Sequence, residues 1–499
     1  MMTAAATVAE LNDTLTPKLR SLLATLHGAV PDAHIVGGMP RDLLLGRPPI
    51  DLDVVTRNDP HSAGERLAQA FTDASLFALD AERGHYRLTL PDAAPLREVD
   101  ISRADDLAAD LARRDFTINA MAAAVLADGT IGPLIDMAGG RADVESRTLR
   151  MLNREALRDD PLRLLRAVRL SIELDLEIAS ETESAIREFA YRLPQAAGER
   201  QYEELVRLLA TPRAAMGVRL LDSLGLLEAL MPEITAARGV GQPFEHHYWD
   251  VFDHSVEALS ALDLMLAPAT EPDRWLAPIF QDGIAGFDLD GYLDGKVGGS
   301  SRRVLLKLAG LLHDVSKPET KSQEPDGRVR FLGHPEQGAV KSEAICNRLR
   351  FGTKETRFIA LLVEEHLRPT QLSPSDALPS RRALYRFFRD LGDAAPACLF
   401  LSLADAAAAQ GPRLEKDRWA GHVAYVRWIL QNGLPPEPTG EKRHRIVDGE
   451  TLMASLGLEP GPEVGRLLAA IDEAYAVGEL ASPDEALALA RTLIAEARP

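Results

Sequence analysis

Asp51 and Asp53 stand one residue apart in the run Ile50-Asp51-Leu52-Asp53-Val54-Val55, which reads as a strand. Strand side chains alternate between faces, so acids at i and i+2 share one face. Two carboxylates so placed can bridge a pair of Mg²⁺ ions, which activate an attacking 3′-hydroxyl and stabilise a leaving pyrophosphate. Upstream, Gly37-Gly38 precedes a short helix. Amides with no Cβ in front of them can approach a triphosphate at such a helix start. Taken singly, an Asp-x-Asp is most often an exposed strand edge, and a Gly-Gly before a helix is common. Glu98 and Asp100 form a second alternating pair.

The elements that must carry these residues follow from local pattern. Ala33–Val36 reads as extended, Met39–Leu45 as a short helix stopped by Gly46, and Pro48-Pro49 forces an extended entry into the strand of Asp51. Further strands are expected at His85–Leu90 and Arg97–Ile101, and helical periodicity dominates from Asp105 onward. The expected fold class is α+β, a small α/β head followed by an all-helical body. Ala267–Ser300, rich in Gly, Pro and Asp, reads as a long surface insertion. Pro435-Pro436-Glu437-Pro438 marks another boundary.

A length of 499 residues suggests about three domains of ordinary size. No run of 18 or more apolar residues occurs, so no membrane association is expected, and the N-terminus lacks the plan of a signal peptide. Cys346 and Cys398 alone make no disulfide framework, which points to a reducing cytoplasm. A net charge of −19 argues against general nucleic-acid binding. Yet eight arginines lie between Arg141 and Arg169 against five acids. Local basicity is what an RNA end would feel within a Debye length of about 8 Å.

In order along the chain, Val36-Gly37-Gly38-Met39-Pro40-Arg41-Asp42 with Asp51-Leu52-Asp53, then Arg113-Arg114-Asp115-Phe116-Thr117-Ile118-Asn119-Ala120, then Arg158-Asp159-Asp160-Pro161-Leu162-Arg163-Leu164-Leu165-Arg166, resemble the motifs of the class II tRNA nucleotidyltransferase and poly(A) polymerase family. Pro40 replaces the commoner Val, Met137-Ala138 the usual Pro-Phe of a flexible loop, and Asp159 a Glu. The resemblance implies a polymerase-β-like head, neck, body and tail. It places Asp51 and Asp53 as catalytic metal ligands and Gly37, Gly38, Arg41, Arg113, Arg114, Asp115, Asn119 and Arg166 around the nucleotide. The family's third acid lies five residues before an Arg; with Arg103 that selects Glu98, leaving Asp100 as a solvated strand residue.

Asp160 and Arg163, three apart, lie on one helix face. An acceptor-only carboxylate beside a donor-only guanidinium complements cytosine and adenine and mismatches uracil and guanine. A helix cap with a local ion pair is the plain alternative. The family resemblance favours base reading.

His254, His313-Asp314, His334, His366 and Asp405 resemble the ordered ligand set of the HD phosphohydrolase superfamily. That resemblance implies a divalent ion (Mg²⁺, Mn²⁺, Co²⁺ or Ni²⁺) on His254, His313, Asp314 and Asp405, with His334 and His366 completing the site and Lys317 holding a phosphate. The expected domains are an N-terminal helix (1–30), head (31–150), neck (151–240), HD body (241–412) and tail (413–499). The expected substrates are CTP, ATP and a tRNA or other RNA 3′ end, with no obligate protein partner. CC-only, A-only and poly(A) addition share the same motifs. A phosphohydrolase with an idle head, or an RNA-binding scaffold, is disfavoured by the intact Asp51, Asp53 and Arg113-Arg114-Asp115.

Overall fold

The computed structural model describes residues 8–49, 51–90, 98–266, 287–373, 377–433 and 445–496. Ile50, Arg97, most of the 267–300 insertion and the Pro435–Pro438 boundary lie outside these residues. The chain divides into two compact units, one up to Leu208 with Arg219–Leu230, the other Leu209–Val218 with Met231 onward.

The first unit is built on a seven-stranded sheet of order β3-β4-β5-β2-β1-β6-β7. Its strands are β1 (His34–Val36), β2 (Asp51–Thr56), β3 (Ser75–Asp80), β4 (His85–Thr89), β5 (Glu98–Arg103), β6 (Met121–Ala124) and β7 (Ile135–Asp136). β2 and β5 run parallel in the register Asp51↔Glu98 and Asp53↔Asp100. The other pairings are antiparallel. Alternation along β2 buries Leu52 and Val54 and leaves Asp51 and Asp53 on the opposite face.

Leu52 and Val54 pack under α1 (Val8–Asp13), α2 (Pro17–Ala29) and α4 (Pro60–Ala68) through Leu11, Leu22, Leu23, Leu26 and Leu67. The segment read as a separate N-terminal helix is therefore two helices within the head core. The starts of α2 and α4 follow from their caps: Thr16 accepts from the Leu19 amide and Asp59 from the Ser62 amide, each with Pro in the first turn. Helix α3 (Gly38–Leu44) adds Met39 and Leu43 to this same core, whereas α5 (Leu107–Ala112) packs Leu111 with Val36 and Val55 on the other face; α6 (Gly140–Glu145) follows β7. Helix α7 (Arg154–Asp159) and the longer α8 (Leu162–Leu174) begin the helical region, with Asp160-Pro161 between them.

The second unit centres on the helices Val251–Leu266, Arg302–Leu312, His334–Arg348, Thr353–Glu365 and Ala395–Gln410, which pack on one another. The end of the expected insertion is ordered: Leu289–Asp294 is a helix that buries Leu293, and Lys296-Val297 pairs with Ser300-Ser301. Arg381–Arg413 has the length and apolarity of a membrane span, but 78% of that window is buried inside the unit. Helices Gly449–Leu456, Pro462–Ala476 and Pro483–Glu496 form a small core of their own around Leu452, Leu467 and Ile471.

Candidate functional sites

The head cleft, about 400 Å³, is lined by Gly37, Gly38, Arg41, Asp51, Asp53, Arg114, Asp115, Asn119, Arg163 and Arg166, all singled out in the sequence. Gly37 turns the chain at φ +72°, and a Cβ there would lie 2.6 Å from Asp53 Oδ2 and 2.9 Å from Arg114 NH1. Only glycine lets the backbone pass this close to the acid. Burial pushes the Asp53 carboxyl up to about 6; Arg114 opposes this, and Asp100 and Asp51 add to it. Acids crowded at this cost are chemically suited to a bound cation, and the hard oxygen donors fit Mg²⁺.

Glu98, expected as the third acid, and Asp100 are placed differently. Arg87 holds Glu98 through NH1 at 2.8 Å and forks through Nε and NH2 onto both oxygens of Asp100 at 2.7 Å. Asp100, paired with Asp53 in the strand register, lines the cleft, and Glu98 is absent from the lining. The i,i+2 spacing put both on one face, but only the register shows which sits beside Asp53. Arg87 carried no sequence signal.

Behind the cleft runs a buried polar relay. Arg41 donates to Asn119 (2.7 Å), Asn119 to Asp115 (3.0 Å), and Arg166 to both Asp115 (3.2 Å) and Glu204 (3.0 Å). Arg169 closes it on Glu204 at 2.6 Å. Burial pushes Asp115 up, but Arg166, Asn119 and the Phe116 amide outweigh it and hold the carboxyl below its usual range. Asp115 and Asn119 thus position Arg41 and Arg166 at the cleft wall. Arg169, Glu204 and Arg200 were given no site role from the sequence; Arg169 counted only among the eight arginines of 141–169.

Arg163 reaches the cleft and donates to the carbonyls of Arg113 (3.0 Å) and Arg114 (3.3 Å). Arg113 itself is absent from the lining. Asp160 lies 3.8 Å from Arg163, takes a two-pronged contact from Arg200 (2.9 and 3.2 Å), and accepts from the Leu162 amide at 3.3 Å. Burial raises its carboxyl, and Arg200 then draws it below the usual range. Asp160 is therefore a charged acceptor at the start of α8 with a helix-capping contact as well.

In the second unit, His254, His313, Asp314, His334, His366 and Asp405 come together as the sequence order suggested. Their donor atoms form two groups, His254/His313/Asp405 and Asp314/His334/His366, each within 4.8 Å. Asp314 sits between: Oδ2 is 3.4 Å from His254 and 3.3 Å from His313, while Oδ1 is 3.4 Å from His334 and 3.8 Å from His366. His313, His334 and His366 each turn Nδ1 to a backbone carbonyl, at 2.8, 2.7 and 2.7 Å. That bond fixes the tautomer and aims the Nε2 lone pair into the cluster. Burial pushes His366 down to about 4 and lowers His254 and His334, which keeps these imidazoles neutral, as ligation requires. Asp314 Oδ1 and His334 Nε2 are buried without a hydrogen bond. A divalent cation is what such orphaned donors fit.

Lys317 is buried, 2.6 Å from Asp314 Oδ2 and donating to Gln242 at 2.7 Å. It lines a cleft of about 970 Å³ with Asp314, His334, His366 and Asp405. His247, unassigned in the sequence, lines it too, with its ring edge-on to His254 at 5.3 Å.

Comparison with known proteins accords with this geometry. Residues 33–150 match the family profile described as "Poly A polymerase head domain", 175–238 that of the "Probable RNA and SrmB- binding site of polymerase A", and 287–410 the "HD domain". An A-adding tRNA nucleotidyltransferase of Deinococcus radiodurans is 38% identical over 465 residues, covering 92% of this chain and 94% of that protein. The chain belongs to the tRNA nucleotidyltransferase family. A CC-adding tRNA nucleotidyltransferase of Thermus thermophilus is 37% identical over 92% of each chain. The fold of this tRNA nucleotidyltransferase is shared by a CCA-adding enzyme of Thermotoga maritima solved with tRNA, at TM-score 0.58 and 20% identity over 98% of this chain and 99% of that one. A CCA-adding enzyme solved with CTP gives TM-score 0.61 at 19% identity over 100% of both chains.

Proposed function

We propose that this nucleotidyltransferase extends the 3′ end of tRNA with CMP, AMP or both, releasing pyrophosphate, in a reducing cytoplasm. The observation that carries the reading is the convergence of Asp51 and Asp53 from β2 with Arg163 and Arg166 from α8 on one cleft. Asp51 and Asp53 would hold Mg²⁺, which when bound supplies Lewis-acid stabilisation of the transferring phosphoryl group. Asp100, by its register beside Asp53 and its place in the cleft lining, is the better-supported third acid; Arg87 pairs with Glu98 and Asp100 alike. Arg41, Arg114 and Arg166 take triphosphate charge, and the Gly37-Gly38 backbone leaves room for it. Asp160 accepts and Arg163 donates at the base edge, selecting C and A over U and G. The two buried cysteines fit a reducing compartment.

Relatives named for A addition and for CC addition match this chain almost equally well, at 38% and 37% identity. Incubating tRNA ending before CCA, after C and after CC with each labelled nucleotide separates the outcomes. Extension by CTP alone gives a CC-adding enzyme, extension of the CC end alone an A-adding one, and both in order a CCA-adding one. No extension of any of the three sinks the reading.

A second reading concerns the body, on the strength of its six converging ligands. We infer a divalent metal there and hydrolysis of 2′,3′-cyclic or terminal phosphates on RNA, ends that would block the 3′-hydroxyl the head needs. Lys317 holds Asp314 in place, donates to Gln242 and offers the phosphate its one remaining N–H. Metal analysis of the purified protein, with hydrolysis assayed under Mg²⁺, Mn²⁺, Co²⁺ and Ni²⁺, tests it; no ion and no hydrolysis overturns it.

A further inference from the structure

The surface beside the body cleft carries a group that neither the metal ligands nor the core uses. The turn 243–247 is closed by the His246 and His247 amides on the Pro243 carbonyl, both at 3.0 Å. It holds Phe244 out at 66% exposure, and Tyr248 follows at 40%. The Arg413 guanidinium lies over both rings, 4.2 Å from the centroid of Phe244 and 5.2 Å from that of Tyr248. Arg413 NH1 donates to the Phe244 carbonyl at 3.1 Å, which fixes the arrangement.

This group is tied to the metal ligands. The Tyr248 amide bonds the Ala409 carbonyl at 2.8 Å. Ala409 lies four residues beyond Asp405 on the helix Ala395–Gln410, a rise of about 6 Å. Gly411, at φ +50°, lets Trp249 pack so closely that a Cβ would sit 2.8 Å from its indole nitrogen. At the other end of the turn, Pro243 and His247 line the cleft itself.

We propose that Phe244, Arg413 and Tyr248 form a stacking platform for a base at the single-stranded end of an RNA whose terminal phosphate lies at the His–Asp cluster. The proposal rests on the hydrolase reading of the body. An exposed phenyl ring gains nothing from water, whereas aromatic faces and a guanidinium plane are the surfaces on which unpaired bases stack. Stacking tolerates any base, which suits an activity on ends of varied sequence. Arg330 and Arg368 also line the cleft and would meet the backbone.

Two measurements on the full chain test this. Hydrolysis of an RNA minihelix ending in a 2′,3′-cyclic phosphate is compared with that of bis-p-nitrophenyl phosphate, which has no base. In Phe244→Ala and Tyr248→Ala the preference for the RNA should fall about tenfold through KM, with kcat for the RNA little changed. Circular dichroism checks that both variants fold. In the second measurement, the same minihelix carrying a terminal 5-iodouridine is photo-crosslinked and the adduct mapped by mass spectrometry. The peptide holding Phe244 and Tyr248 should carry the adduct. If the wild type hydrolyses neither substrate, the hydrolase reading falls, and the crosslink alone decides the platform. Unchanged preference in an active enzyme, or adducts only elsewhere, overturns the platform and leaves the cluster as a surface for a protein partner.

Discussion

In the head, Asp51 and Asp53 reach their cleft from a strand, side by side and partly wet, with Asp51 exposed. In the body, His254, His313, Asp314 and His366 sit at 0, 0, 1 and 1% exposure, with the His313 and His366 rings locked by backbone carbonyls. The head gathers like charges and surrounds them with arginines, an arrangement that becomes neutral when a nucleotide and its cation arrive together. The body gathers buried imidazoles around one central carboxylate, a donor set that fits a divalent ion; burial lowers His254, His334 and His366, while at His313 burial is outweighed by Asp314 and Asp405, which push it up to about 10. The same chain thus places a site built for exchange on a sheet and a site built for retention among helices. Strand alternation needs only two residues to aim two acids, while five helices and their ends are needed to converge six ligands.

The largest effect that can break this comparison is at the strand. Asp51→Ala or Asp53→Ala should lower nucleotide addition by about 10⁴-fold, since the developing phosphoryl charge loses its stabiliser. Metal content of the body should be unchanged, and addition above a few per cent of wild type would count against the assignment. The mirror experiment is His313→Ala with Asp314→Ala. It should remove bound metal and lower phosphoester hydrolysis by about 10³-fold while addition stays within about twofold. Joint loss of both activities would show the two sites to be one system.

Discrimination comes next. Asp160→Ala or Arg163→Ala should reduce the preference for C and A over U and G by about 10- to 100-fold, equivalent to about 1–3 kcal/mol of unpaired polar groups. Affinity for the triphosphate should change less. Full retention of discrimination, with lower thermal stability, would make Asp160 a cap and nothing more.

The smallest effect is on stability. Asp115→Asn should cost about 2 kcal/mol in urea unfolding, because Arg166 loses a charged partner. The Asp115 carboxyl is held below its usual range, so its contribution is whole above the unfolded carboxylate range near pH 4. It is lost as pH falls through the lower native value. The gap between wild type and variant should therefore be flat at neutral pH and shrink in acid. A gap that widened in acid would refute the charged relay.

Much of both sites was legible in the sequence because order along the chain constrains chemistry. Alternation put Asp51 and Asp53 on one strand face, and the family resemblances gave those acids their role and picked out the six body ligands. What stayed hidden depended on pairing between distant segments. The choice between Glu98 and Asp100 turns on the β2–β5 register, and Arg87, which pairs with both, comes from a third strand. The partner of Asp160 was read as Arg163 three residues on, yet the shorter contacts come from Arg200, forty residues away in sequence. The N-terminal helices looked separable because a strand cannot announce which helix covers it. Composition likewise marked 267–300 as an insertion but not the short helix and ladder of 289–301 that close it.

Gly37 shows how misleading a tolerance map of this protein would be if it measured folding alone. A methyl group at that position would meet Asp53 and Arg114 within 3 Å, at a backbone angle of +72°. The backbone penalty is only about 1–3 kcal/mol, which a large, well-packed chain can absorb. The collision, in contrast, falls on one of the two acids proposed to hold the metal. Gly37→Ala should therefore accumulate at near-normal levels, pass any screen for solubility or abundance, and be inert.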